Sequence, residues 1–195
     1  GIYVLGAEDS DTDEYDSHVI AHEWAHWLEH SIGRSDSIGG PHTRGDQLDM
    51  RTAFSEGFAN AVAAIVLGDT LYKDTLGPHQ SLGFVFDVEG PFLAGAPDNP
   101  NPGWFSEESI QELVYDLYDD EIDVDEDVLA FGLPPLLEAL AGPLRDTSAL
   151  TSLFPFVTAL KAAFAADAAL IDALVARQGI EPIVDDFGAG RLNAG

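Results

Sequence analysis

Two histidines stand four residues apart, with a glutamate directly after the first, in His22-Glu23-Trp24-Ala25-His26. The flanking Val19-Ile20-Ala21 and Trp27-Leu28 are apolar and helical in pattern, and this segment constrains the fold more than any other. On a helix, residues i and i+4 lie one above the other on one face. Both imidazoles can therefore reach a single ion, while Glu23, one position round the helix, directs its carboxylate past that ion. Asp16 or Ser17 is placed to cap a helix from about His18 to Ser31, with Gly33 at its end.

That arrangement is the HExxH pattern of zinc hydrolysis: two imidazole ligands and a carboxylate within reach of a bound water. Zinc lowers the pKa of such a water to about 7, and a neighbouring carboxylate can take the proton. A catalytic site needs a third protein ligand. His30 continues the spacing, but each four-residue step advances about 6 Å along the axis, too far for three ligands on one ion. His30 is read as a surface residue or a support for a ligand. The metzincin pattern is rejected, because Glu29 and Ile32 occupy its glycine and histidine positions.

Glu56 is the better third ligand. It lies in Phe54-Ser55-Glu56-Gly57-Phe58-Ala59-Asn60, where apolar neighbours make a bare carboxylate costly unless a cation neutralises it. Gly57 is a poor helix former, so its place in this helix suggests a close approach of two backbones. Asn60, at i+4 from Glu56, can orient a ligand histidine through its second ring nitrogen. The helix is expected from about Gln47 to Leu67, with Asp46 as N-cap and Gly68 just past its end.

At this point the residues resemble the gluzincin metallopeptidases, which pair HExxH on one helix with a glutamate ligand on a later one. Ser55-Glu56-Gly57-Phe58-Ala59 is similar to a segment of aminopeptidase N-type enzymes, and Glu56 with Asn60 resembles the thermolysin pattern. The resemblance covers residues 1–68. It implies a zinc-dependent peptidase with an active-site helix pair, a substrate-binding edge strand and a helical C-terminal lobe. It also implies a Tyr or His that stabilises the oxyanion. Tyr115 and Tyr118 are the candidates on the third helix, with His42 of Gly39-Gly40-Pro41-His42 as another option. The 29 residues between His26 and Glu56 imply a long loop over Gly33–Gly45.

Elsewhere, Ile2-Tyr3-Val4-Leu5 reads as a short strand, and Phe84 to Val88 as another. A strand standing alone before the first helix is what a fragment lacking most of an N-terminal sheet would show. Ser106 caps a third helix through about Tyr118. After the acidic run Asp119 to Asp127, the Ala- and Leu-rich remainder is punctuated by Pro134-Pro135, Gly142-Pro143 and Asp167 into three or four helices ending at Gly179. The expected fold is mainly α with minor β: one catalytic domain over residues 1–195, with the helix pair in 1–68 and the helical lobe in 104–195.

The chain carries 35 acidic and 8 basic residues, a formal net charge of −27. Such a surface excludes nucleic acid as a partner and disfavours anionic membranes. No apolar run is long enough for membrane insertion. The absence of cysteine removes disulfides, thiolate ligands and cysteine nucleophiles. With the acidic surface, it fits an extracellular or periplasmic protein. Asp9, Asp11, Asp13 and Asp16 are spaced like a calcium loop but lack its glycine pattern, so a solvated acidic loop is preferred to calcium. His18 and His79 read as surface residues, and Trp24 and Trp27 as core or cleft wall. The alternative to a peptidase acting on peptide or protein substrate is a non-catalytic, zinc-containing acidic binding module.

Overall fold

The computed structural model describes residues 1–90, 99–119 and 129–189. The protein is mainly helical with a small β part. Helix α1 runs Ser17–Ile32 and α2 runs Met50–Leu67. A hairpin of β1, Leu71–Leu76, and β2, Leu82–Asp87, follows. Then come α3, Glu107–Asp116, α4, Leu133–Ala139, α5, Leu153–Ala163, and α6, Ala168–Arg177. The acidic run from 120 onward and most of the proline-rich loop after Gly90 lie outside the described residues.

Helix α2 is central. Every residue from Thr52 to Ile65 is buried, so the helix is covered all round, with α1 on one side and α3 on another. Small side chains make this possible: Ala21 and Ala25 on α1 face a helix rich in alanine. The backbones come closest at Gly57, where an added Cβ would lie 2.6 Å from the Glu107 carbonyl oxygen and 2.7 Å from Ile110 Cβ. The close approach expected from sequence is therefore that of α2 and α3. Phe54, Phe58 and Phe156 stack together, with ring centres 5.4–6.0 Å apart, and join α2 to the C-terminal helices. The buried apolar cluster extends from Val19 to Ile183.

Several local expectations hold. Gly68 ends α2 in the left-handed conformation, with φ 63°, where a side chain would be strained. Ser106 caps α3 by accepting from the Ser109 amide. Others need correction. Residues 2–5 form no strand, because among the described residues no strand pairs with them, and Tyr3 and Leu5 are exposed. The sheet is instead the hairpin after α2. Its first strand escapes pattern reading because Lys73 and Asp74 interrupt the apolar alternation. Asp49, not Asp46, caps α2 by accepting from the Arg51 amide, while Asp46 accepts from Thr43 N and Oγ1 in the preceding turn. Pro134 and Pro135 lie inside the first turn of α4, where a missing N–H costs nothing. Gly142-Pro143 falls within a wide π-type turn, Leu140–Leu144, that continues α4.

Candidate metal centre

One helical turn separates His22 from His26, and their rings meet edge to face with centres 4.6 Å apart. Their Nε2 atoms are 2.9 Å apart. Glu56, reaching from α2, places Oε2 3.2 Å from each of them. Tetrahedral zinc at about 2.0–2.1 Å from each ligand has ligand–ligand edges of about 3.3 Å, so this triangle has the size of one face of such a site. These three residues form a group that could hold a metal ion.

The second nitrogen of each ring is also engaged. His22 Nδ1 donates to Asn60 Oδ1 at 2.7 Å, and Asn60 Nδ2 donates in turn to Gln111 Oε1 on α3 at 3.0 Å. Asn60 thus lies one turn from Glu56 and behind the His22 ring. His26 Nδ1 lies 3.1 Å from Ser55 Oγ, and Ser55 Oγ donates to Glu29 Oε2 at 2.7 Å. Ser55, Glu29 and Gln111 escape the sequence reading. Glu29 carries the one signal that could have revealed it: i+3 from His26 puts it on the same helix face.

The electrostatics follow from burial among charges. Glu56 is 9% exposed. Burial pushes its carboxyl upward, but hydrogen bonds from His22 and His26, and their charge, outweigh this and hold it well below the usual range. Burial lowers His26, yet the Glu56 hydrogen bond and the charges of Glu56, Glu29 and Glu23 raise it overall. Glu23 is half-buried, and its charge acts on both His26 and Tyr72, which sets it on the ligand side of α1.

His42 also arrives at the centre. Its Nε2 is 3.8 Å from Glu56 Oε2 and 3.1 Å from Glu107 Oε2, and its Nδ1 donates to the Gly40 carbonyl. The loop bearing it is tied to α3: Gly45 N donates to Glu108, Asn101 Nδ2 to the Gly45 carbonyl, and Leu48 N to the Phe105 carbonyl. Burial, with help from Glu108, Glu56 and Asp46 and against the opposing charge of His42, pushes Glu107 up to about 7.

Tyr115 belongs to the buried core, and Tyr118 packs against both it and the core. Gly57 meets Ile110 and Asn60 meets Gln111, so the two helices advance together away from Glu56. Tyr115 lies a further turn, about 6 Å, beyond Gln111 in that direction. Nearer the His-His-Glu triangle is Tyr72 of β1, whose ring stands edge-on to His22 with centres 6.2 Å apart. Burial and the charges of Asp74, Glu23, Asp13 and Glu56 keep its hydroxyl protonated well above the usual range.

His18 is a further correction. It is buried under Tyr72, and its Nε2 pairs with the Asp69 carbonyl at 3.0 Å, because the hairpin folds back over α1. His30 and His79 are exposed, as expected. Trp24 packs at the core margin, whereas Trp27 is largely exposed. In the acidic loop, Asp13 and Asp16 meet Asp74 of β1 in a second group of suitable size for a cation. Asp16 spends its carboxylate on Thr75 N and Oγ1. Burial, a hydrogen bond with Asp11 and the charges of Asp11 and Asp74 push Asp13 up to about 7.

Fold and site together define a helical protein with an HExxH-type His-His-Glu centre between two packed helices. A family model described as the Mycolysin C-terminal domain matches residues 7–123, more than half of the chain and all of the residues just described at the centre, and the chain belongs to that family. The family context is that of zinc metallopeptidases. No curated protein matches the chain.

Proposed function

We propose that this chain carries a catalytic zinc centre of a peptidase, with His22, His26 and Glu56 as ligands and Glu23 as general base. The observation that carries the reading is the convergence of three electron-rich atoms. Both Nδ1 atoms face oxygen partners, so in the neutral tautomers both Nε2 lone pairs point toward each other and toward Glu56. A triangle of that size needs a proton or a metal cation among its atoms, and two imidazoles with one carboxylate suit zinc.

Bound zinc supplies a Lewis acid for the scissile carbonyl and a water of lowered pKa. Glu23 takes the proton of the attacking water and passes it to the departing amine. His42, beside Glu56 and anchored by Glu107 and Gly40, donates a hydrogen bond to the carbonyl oxygen as its charge grows. It takes the part that the sequence reading offered first to Tyr115 and Tyr118. Tyr72 walls the side next to His22. The substrate is a peptide or protein, and the site of action is extracellular or periplasmic, in keeping with the family context. Among the described residues no helix is long and apolar enough to cross a membrane.

The matching model's description as a C-terminal domain favours a second reading, an acidic zinc-containing module without turnover. Elemental mass spectrometry on wild type, Glu56→Ala and Glu23→Gln, with a peptide-library cleavage screen, separates the two. The catalytic reading expects one zinc in wild type and Glu23→Gln, much less in Glu56→Ala, and cleavage only by wild type. Zinc retention without cleavage by wild type selects the module. No zinc in reloaded wild type refutes both.

A further inference from the structure

The two ligand histidines are held by different chemistry. His22 leans on an amide pair, Asn60 and Gln111, which is neutral throughout. His26 leans on a hydroxyl that leads to a carboxylate: Nδ1 to Ser55 Oγ at 3.1 Å, then Ser55 Oγ to Glu29 Oε2 at 2.7 Å. Glu29 is only 1% exposed, and its Oε1 is buried without a hydrogen bond. A carboxyl group buried this deeply, with one oxygen unpartnered, is unfavourable unless the site returns something for it.

We propose that Glu29, acting through Ser55, is a positioning residue for His26 that fixes its tautomer and strengthens its Nε2 as a metal donor. The proposal rests on the zinc reading above. Ser55 Oγ gives its hydroxyl hydrogen to Glu29 Oε2, so Glu29 holds the hydroxyl in that direction. Ser55 Oγ is then left as an acceptor, which His26 must meet with an Nδ1–H. The Nε2 lone pair is thereby turned to His22 and Glu56, where a metal needs it. The same hydrogen-bonded chain passes negative charge toward the ring and raises its basicity.

Both relay residues sit on the elements that bear the ligands. Glu29 is at i+3 from His26 on α1, and Ser55 directly precedes Glu56 on α2. The hydroxyl therefore also fastens α1 to α2 beside the triangle, and the geometry of the relay and of the ligands rises or falls together.

The test uses the full chain as wild type, Glu29→Gln, Ser55→Ala and the double variant. Zinc affinity is measured by competition with a chromophoric chelator. The His26 tautomer is read in the metal-free proteins by long-range proton–nitrogen NMR at alkaline pH, where the ring is neutral. Glu29→Gln keeps the shape of the side chain, and circular dichroism checks that each variant is folded. Each single variant is expected to bind zinc about 10–100-fold more weakly, and the double variant no more weakly than the worse single, because the relay acts as a unit. Wild-type His26 is expected as the Nδ1–H tautomer, with that preference lost in Ser55→Ala. Unchanged zinc affinity in both singles, or losses that add in the double, overturns the relay while leaving the zinc reading intact. If wild type binds no zinc, the zinc reading fails and the tautomer decides the relay alone. Nδ1–H supports it, and Nε2–H overturns it.

Discussion

Replacing Gly57 by alanine gives opposite signs depending on whether the helix or its packing dominates. Taken as an isolated helix position, glycine is about 1 kcal/mol worse than alanine, and the change should stabilise. The structure reverses this. A Cβ at residue 57 would lie 2.6 Å from the Glu107 carbonyl oxygen and 2.7 and 2.9 Å from Ile110 Cβ and Cγ2. The nearest of these is backbone and the others are near the root of a fully buried side chain, so none can swing away. Overpacking of this kind costs roughly 2–3 kcal/mol, leaving a net loss of about 1–2 kcal/mol after the propensity gain. At about 2–4 °C per kcal/mol for a chain of this size, Tm should fall by roughly 2–8 °C. The splaying also moves Glu107 relative to Glu56 and His42, so zinc affinity should fall too. Gly142 is the control: nothing lies within 4 Å of its added Cβ, and its alanine variant should be neutral or slightly stabilised. Thermal unfolding of both variants by circular dichroism decides the matter. A Gly57→Ala protein as stable as wild type, or more so, would refute the packing.

His42→Ala should lower kcat/KM on a cleaved peptide by about 10²–10³-fold with zinc content unchanged, since it removes one donor to the oxyanion but no ligand. A variant that keeps its activity, or loses its zinc, contradicts that role. Asp13 predicts a pH effect. Its folded pKa is about 7 against an ordinary 3.8, so between about pH 4 and 7 the native state holds a proton that the unfolded chain has released. Its contribution to stability falls as pH rises through that window and stays lost above it. Asp13→Asn should therefore gain on wild type from pH 4 to 7 in urea unfolding and remain more stable at pH 8. A pH-independent difference between the two would count against the cluster with Asp11 and Asp74.

The helix pair was legible because its information is local. The spacing of His22 and His26 implies a shared face through the geometry of a single helix. A carboxylate at Glu56, amid Phe54, Phe58 and alanines, declares its need for a partner within a few residues. Gly57 likewise announces a close approach, and Asn60 follows from Glu56 by one turn. The caps at Ser106 and Gly68 depend only on their neighbours.

What failed or was missed depends on distant segments. Residues 2–5 have the composition of a strand, but a strand needs a partner, and the structure gives the pairing to Leu71–Leu76 and Leu82–Asp87 instead. His18 became buried, and Tyr72 came to face His22, only because that hairpin folds over α1. His42 meets Glu107 because its loop is pinned to Asn101 and Glu108, more than fifty residues later in the chain. The join from Glu29 to His26 through Ser55 requires α1 and α2 to cross at one register. By itself, then, the sequence determined which residues share a helix face and which of them offer the donor atoms a metal would need, since the helical repeat is set by the backbone. Which charges and hydroxyls stand behind those side chains was decided only by tertiary packing, because the crossing of helices and the path of loops depend on contacts spread over the whole chain.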